Sequence, residues 1–501
     1  MIAALLCGFG AILALTRLGS QPLRLDEART ALWAERIMRV GLPRITSAAP
    51  PQFPRSELTK GGFGVLHTPL QFYMAALGMR FAASPFAVRA PFAITGAIAV
   101  LATAFVAEHT LAGAGVFAAA AMVQVPYLLL IRQARYYAPV LLGSALLMLG
   151  AVMDAPVIVG VAAVLLVLSE WSGFLASAAG MLAGIALADW PVDLALPLVP
   201  GLLIAVVWLS LRRSVPRIVP RHERRLDGYL ETFWIYFWKL QCQFIPIVTI
   251  FAFAALGGAL RPSNVLTGSM WLIGAHLALR ASSPAVFARY LSGALVPAAI
   301  ATAILLTQIA SESLFVSVLL AGLTVTTDVL HRLPLFVPDQ ITSKLAFVRS
   351  PDGIHLTRVA MSDTRRPPRL LLGLFIRELV RPPVLRTGGL VSVLMPRSRV
   401  LIGQSEAAAL QVAAPTLEVV PWGLRPKLET RWLATHPPDY VVLGDLDAPE
   451  RAIAVLGDTY ERATLPVVDV LMANGETLER HFFDARGLPV GVEALRRCHS
   501  A

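Results

Sequence analysis

The chain has 501 residues, 56% of them hydrophobic and only 15% charged, against about 25% charged in ordinary soluble domains. Its net charge of +11 is spread between apolar segments, not gathered on a soluble module with stacking aromatics. That argues against a nucleic-acid partner and for a membrane surface or an anionic lipid. The composition is that of a polytopic membrane protein.

In chain order, the N-terminal segment MIAALLCGFGAILALTRLG lacks a basic n-region and a clear small-x-small cleavage site, and reads as a retained signal-anchor helix. At roughly 20 apolar residues per crossing, the candidate spans are 1–18, 86–107, 112–131, 138–153, 155–169, 172–188, 191–210, 235–258, 264–280, 290–309 and 313–331, about eleven. The run 69–83, PLQFYMAALGMRFAA, is short, holds Arg80 and ends at Ser84-Pro85. It is expected to lie in the interface and not to cross. The cysteines Cys7, Cys242 and Cys498 have neither metal-site nor disulfide-framework spacing.

Beyond residue 333, charges and prolines rise. The strand-like runs LVSVLMP, RVLIGQS, LEVVPWG, YVVLGDLD and ATLPVVDVLM are interleaved with helix-like SEAAALQVA and APERAIAVLGDTY. This alternation predicts a small C-terminal α/β domain over 333–501 behind a helical membrane domain over 1–332. It contains neither a Gly-rich phosphate loop nor a nucleophile elbow.

Five places could carry chemistry. Asp26-Glu27 follow the first span between Arg24 and Arg29; a carboxylate there can act as a general base, or simply form an interfacial salt bridge and cap the amphipathic stretch that follows. His67 precedes Pro69, and could bind phosphate or only hydrogen-bond a backbone group. Arg89 opens a span, and Arg132 and Arg135 stand between two apolar segments beside paired tyrosines. Arginines so placed usually have a specific partner, although snorkelling explains a single one. Arg289-Tyr290 open the span that holds Pro297; guanidinium and phenol are good phosphate donors, while aromatic-belt anchoring is an equally common role for the tyrosine.

Taken in order, these pieces resemble the GT-C superfamily of polytopic glycosyltransferases. They are closest to the branch of protein O-mannosyltransferases, the lipid A aminoarabinose transferase and the rhizobial lipopolysaccharide glycosyltransferases. The resemblance rests on Asp26-Glu27 after the first span, on His67-Thr68-Pro69-Leu70, which is His-Pro-Pro-like with Thr in place of the first Pro, and on Arg89-Ala90-Pro91. It continues through Arg132-Gln133-Ala134-Arg135-Tyr136-Tyr137 to Arg289-Tyr290 followed by Pro297. It covers residues 1–332 and is strongest over 20–145. Ser169, before Glu170-Trp171, departs from relatives that often carry His or Lys there, and 333–501 match nothing assignable.

The resemblance implies transfer of a sugar from a polyprenyl-phosphate donor to a glycan, lipid or protein acceptor at the periplasmic face of a bacterial inner membrane, with inversion. Asp26 would be the base and Glu27 its orienting partner, while Arg89, Arg132, Arg135, Arg289, Tyr290 and His67 would bind the donor phosphate. No metal or cofactor is expected, since arginines can stabilise the leaving phosphate. A cytoplasmic N-terminus puts all these residues, and the C-terminal domain, on the outer face. By the same count 211–231, with six arginines, also lies outside, against the positive-inside tendency; an anionic lipid or an error of one span would explain it. A transporter or flippase of lipid-linked sugars is the alternative, disfavoured by the lack of repeated halves and of paired broken spans, and by an external carboxylate pair and domain that suit chemistry at one face. A non-catalytic scaffold is the third reading.

Overall fold

The computed structural model describes residues 1–44, 59, 62–65, 67–213, 226–282, 288–332, 343–350, 353–360, 370–380, 386–422, 437–442, 460–465 and 492–497. The helices of the first part are α1 (Ile2–Leu15), α2 (Leu25–Val40), α3 (Leu70–Met79), α4 (Pro85–Thr110), α5 (Ala114–Val123), α6 (Val125–Ile131), α7 (Tyr137–Val152) and α8 (Pro156–Ser169). They continue as α9 (Trp171–Leu187), α10 (Val199–Arg213), α11 (Leu226–Lys239), α12 (Ile247–Leu256), α13 (Asn264–Ala281), α14 (Ser292–Glu312), α15 (Leu314–Thr326) and α16 (Val329–Arg332).

The bundle is built around α14, which packs on α5, α7, α12, α13 and α15. It is apolar on every side, as a fully enclosed helix must be. Of the best 18-residue window of its span 89% is buried, against 22% for Val192–Arg213 at the rim. Small residues set the helix spacing, as is usual in membrane bundles. At Gly78 a Cβ would lie 1.9 Å from the carbonyl oxygen of Ala87, so only glycine lets α3 lie directly on α4.

Each expected span coincides with helix, with corrections. Pro85–Thr110, Val192–Arg213 and Arg289–Glu312 are long and apolar enough to cross a membrane, and two bent pairs raise the number to as many as five among the described residues. Those pairs replace two expected straight spans, and they correct the expectation that the chain has no broken spans. The 112–131 segment is broken by 66° between α5 and α6, and 235–258 by 84° before α12. Proline causes both breaks: Pro126 sits in the first turn of α6, and Pro246 is the N-cap of α12, where a missing N–H ends one helix and starts the next. Five others are shorter apolar helices of 10–17 residues, α1, α7, α8, α9 and α15, and 264–280 is the 18-residue α13, which is not among the helices apolar enough to cross. α3, the expected interfacial helix, has 10 residues; at 1.5 Å per residue it covers about half of a hydrocarbon core.

The C-terminal part contains the hairpin β1 (Ser343–Ser350) and β2 (Gly353–Ala360), then α17 (Leu371–Val380), α18 (Arg386–Val393), β3 (Arg399–Gly403), α19 (Gln404–Ala413), β4 (Glu418–Trp422), β5 (Tyr440–Val442), β6 (Tyr460–Leu465) and β7 (Val492–Arg497). The sheet order is β4-β3-β5-β7-β6, with β3 parallel to β4 and β5, and β7 antiparallel to β5 and β6. Helix α19 connects the parallel strands β3 and β4, the crossover that parallel pairing requires. Leu390, Val400, Ile402, Leu410, Val419 and Val442 form a core of their own, as expected of a small α/β unit.

LVSVLMP is not a strand: its first residues close helix α18. Leu390 and Leu394 are both buried four positions apart, the spacing of one helical face. APERAIAVLGDTY (448–460), apart from Tyr460, lies outside the described residues, as do most of 211–231 and the expected boundary at 333. Leu371, Phe375, Ala408 and Ala409 join the core of the membrane bundle, with α17 against α15 and α6, and α19 against α2.

Candidate active site

The acidic pair opens α2, and the two carboxylates part company there. Both lie in the first turn, where negative charge complements the helix dipole. Glu27 points inward and is 2% exposed. Its carboxylate accepts from Arg89 Nε (2.7 Å) and Nη2 (2.6 Å), from the N-cap amide of Arg24 (3.0 Å) and from the amide of Ala134 (3.0 Å). Burial opposes its ionisation, but Arg89 and these bonds outweigh it, and the carboxyl titrates below the ordinary glutamate range.

Arg89 spends its remaining N–H groups on the carbonyls of Leu18 (3.0 Å), Gln21 (2.9 Å) and Pro22 (2.9 Å). Glu27 and Arg89 thus form a buried lock joining the exit of α1, the start of α2, the start of α4 and the 132–136 turn. Arg132 belongs to the same scaffold: its Nη1 donates to Leu13 (2.6 Å), Ala14 (3.0 Å) and Thr16 (2.9 Å) at the end of α1.

Asp26, one residue earlier, faces a cavity of about 350 Å³ lined by Arg29, Thr30, Trp33, His67, Phe72 and Arg135 among others. Its Oδ2 lies 3.2 Å from Arg289 Nη1 and 3.8 Å from Arg135 Nη2. Arg135 Nη2 is also 3.3 Å from His67 Nε2. Burial disfavours the charge on Asp26, but Arg135, Arg289 and Arg29 outweigh it and hold its carboxyl well below the usual carboxylate range. For His67, burial and then Arg135 push the imidazole well below its ordinary value. It is neutral at pH 7, so its Nε2 accepts from Arg135. Arg29 and Arg135 line this cavity and Arg289 closes on the same carboxylate, a basic setting that suits an oxyanion.

Four expected residues, Asp26, His67, Arg135 and Arg289, therefore come together. Glu27, Arg89 and Arg132 stand just behind them, bonded to protein groups. Tyr290 lies beside Arg289 but turns its ring to Arg280, whose guanidinium is 5.4 Å from the ring centroid.

Other residues of the site were given no role from the sequence. Tyr136 packs against His67 and under Arg135, and edge-on to Tyr137 at 4.6 Å. The Tyr137 hydroxyl and Arg135 Nε are buried with no hydrogen-bond partner among the described residues. Such unsatisfied donors at and behind the wall of a basic cavity suit an anionic ligand. The tyrosines stood next to Arg135 in RQARYY, which was the available signal. A second ion pair, Arg280 Nη2 to Glu170 Oε2 at 2.5 Å, with Arg280 Nη1 on Ser172 Oγ at 2.7 Å, joins the starts of α9 and the end of α13. Arg280 ends a span 110 residues away, and nothing local announced it. Among the described residues no three His, Cys, Asp or Glu side chains gather as a metal site.

No family model and no curated protein matches the sequence. Solved structures do match. ArnT from Cupriavidus metallidurans in the apo state superposes with a TM-score of 0.57 at 14% identity, over 98% of this chain and 97% of that one. The same protein bound to undecaprenyl phosphate gives 0.55 at 14%, over 99% and 98%. An oligosaccharyltransferase from Archaeoglobus fulgidus covers 82% of this chain and 62% of that one at 14% identity, with a TM-score of 0.44, which adds nothing to the argument. The chain thus shares the fold of ArnT over nearly its whole length, in line with the fold expected from its ordered motifs.

Proposed function

We propose that the protein is a glycosyltransferase that moves a sugar from a polyprenyl-phosphate donor to an envelope glycan, lipid or protein at the periplasmic face of a bacterial inner membrane. The observation that carries this reading is Asp26, a carboxylate at a cavity wall with the guanidinium groups of Arg289 and Arg135 3.2 and 3.8 Å from it. The fold shared with ArnT, one of whose structures holds undecaprenyl phosphate, supports a lipid-phosphate ligand.

In this reading the donor phosphate sits against Arg135 and Arg289, with the Tyr137 hydroxyl and Arg135 Nε as further donors. The acceptor oxygen attacks the anomeric carbon from the opposite face. The bond from that carbon to the phosphate oxygen breaks, its electron pair leaves on the phosphate, and the acceptor proton passes to Asp26. One attack in line gives inversion. Developing charge on the phosphate is met by guanidinium groups already in place, the larger part of such catalysis. Neutral His67 orients Arg135 and adds no charge of its own. Glu27, Arg89 and Arg132 hold the frame. In the resting site the arginines make Asp26 a weak base; a phosphate that draws them away returns its basicity when the acceptor must be deprotonated.

The test uses purified full-length protein in detergent, a panel of radiolabelled polyprenyl-phosphate sugars and a crude envelope acceptor. Acceptor-dependent release of polyprenyl phosphate, lost in Asp26→Asn, is the expected result. No release in detergent, with translocation of the intact lipid-linked sugar by the same protein in sealed vesicles, would make the protein a flippase and defeat the proposal.

A further inference from the structure

A second cavity, of about 620 Å³, shares no lining residue with the Asp26 cavity. The Glu27–Arg89 pair forms part of its wall. The rest comes from the exit of α1, the end of α6 and the last two turns of α17, including Arg17, Arg24, Arg132, Phe375 and Glu378. Among the described lining residues, four are arginines and two are glutamates.

Arg132 shows best what is missing. Its Nη1 is taken by three carbonyls at the end of α1. Among the described residues no hydrogen bond takes its Nε or Nη2, and no carboxylate pairs with it. The Phe375 ring lies 5.8 Å below the guanidinium and fixes its plane. Burial and the neighbouring charge of Arg89 push Arg132 down to about 10, as befits a cation short of an anion. Arg17 closes the far side by donating to the Leu379 (3.1 Å) and Val380 (2.5 Å) carbonyls. A planar guanidinium with a free edge, stacked on an aromatic ring in a basic recess, is a fork for a tetrahedral oxyanion.

We propose that this cavity binds a phosphate group, free or at the head of a lipid, at a site separate from the Asp26 cavity. The cavity lies where two apolar helices, α1 and α6, end, a position suited to a lipid headgroup. The proposal does not rest on glycosyl transfer. Arg132, expected from the sequence in the donor site, serves this second anion instead.

The test is hydrogen exchange on the full-length protein in lipid nanodiscs, read over residues 17–24 and 371–380. One arm adds inorganic phosphate to all-phosphatidylcholine discs; the other builds phosphatidic acid into the disc. Protection by phosphate identifies a free-anion site, and protection by phosphatidic acid alone a headgroup site; either supports the proposal. Arg132→Gln should raise the half-saturating concentration roughly tenfold, the worth of one charge-assisted hydrogen bond. Glu378→Gln removes an opposing charge and should lower it several-fold, a gain that a folding defect cannot imitate. Absence of protection by both probes, equal protection by chloride at matched ionic strength, or a Glu378→Gln protein that binds no more tightly than the parent would overturn it.

Discussion

Replacing Glu27 by Gln keeps the shape of the side chain and removes its charge. The carboxylate is 2% exposed and accepts four hydrogen bonds, two from Arg89 and one each from the amides of Arg24 and Ala134. A carboxamide offers one oxygen. Whichever way it is turned, its NH2 group faces N–H donors, and Arg89 is left buried without a counter-ion. Breaking a buried pair from one side costs about 3–5 kcal/mol. Arg89 retains the carbonyls of Leu18, Gln21 and Pro22, so the lower end, about 3 kcal/mol, is expected. SDS titration in mixed micelles measures it. Arg89→Met in the Glu27→Gln background should cost less than the sum of the single changes, by about 1–3 kcal/mol. A single variant within about 0.5 kcal/mol of the parent, or strictly additive changes, would show that the pair is not the lock described.

Asp26→Asn should behave in the opposite way: a loss of transfer rate of about 10²–10⁴-fold, the range for a general base, with a much smaller stability cost because the carboxylate is 26% exposed. A folded Asp26→Asn protein with parental turnover refutes the base assignment. Arg135→Gln and Arg289→Gln should each lower kcat/KM for the lipid donor by roughly 10–100-fold, measured by initial rates; an unchanged value for both would remove the phosphate from this cavity. His67 is held neutral by the fold, so acid protonates it first in the unfolded chain. Its share of stability is whole above about pH 6.5 and is lost as pH falls below that, by at most about 1.4 kcal/mol per pH unit. His67→Gln should flatten this part of the unfolding profile between pH 6.5 and 5, and an identical slope in both proteins would speak against it. Gly78→Ala forces a methyl into the Ala87 carbonyl, and should destabilise by about 1–3 kcal/mol in the same titration; a neutral result would mean that α3 and α4 are not in direct contact.

Much of this was legible in order along the chain. Apolar length gave the helices, and alternation gave β3, α19, β4 and β5. What pattern could not supply was pairing across distance. Asp26 and Glu27 are adjacent and chemically alike, yet one faces a cavity and the other is enclosed, because Glu27 falls at the third helical position, where a carboxylate reaches back to its own N-cap. Arg89, 62 residues further on, completes that enclosure. Its arginine looked like Arg135 in sequence; only the fold reveals that its donors are spent. The two broken spans did carry a signal in Pro126 and Pro246, which apolar length overrode. Residues 343–350 and 353–360 pair as a hairpin without the alternation that marked the other strands.

Helix α19 lies directly on α2, the helix that begins with Asp26 and Glu27, while Arg17 grips the last carbonyls of α17. Helices α17 and α19 therefore buttress the bundle at the exit of α1 and along α2. A shortened protein ending near residue 332 would uncover the outer side of α2 and free the far wall of the second cavity. Loss of turnover in such a truncation would say nothing about where acceptors dock; point changes on the surface of α19 that leave its seat on α2 intact are the fair way to ask.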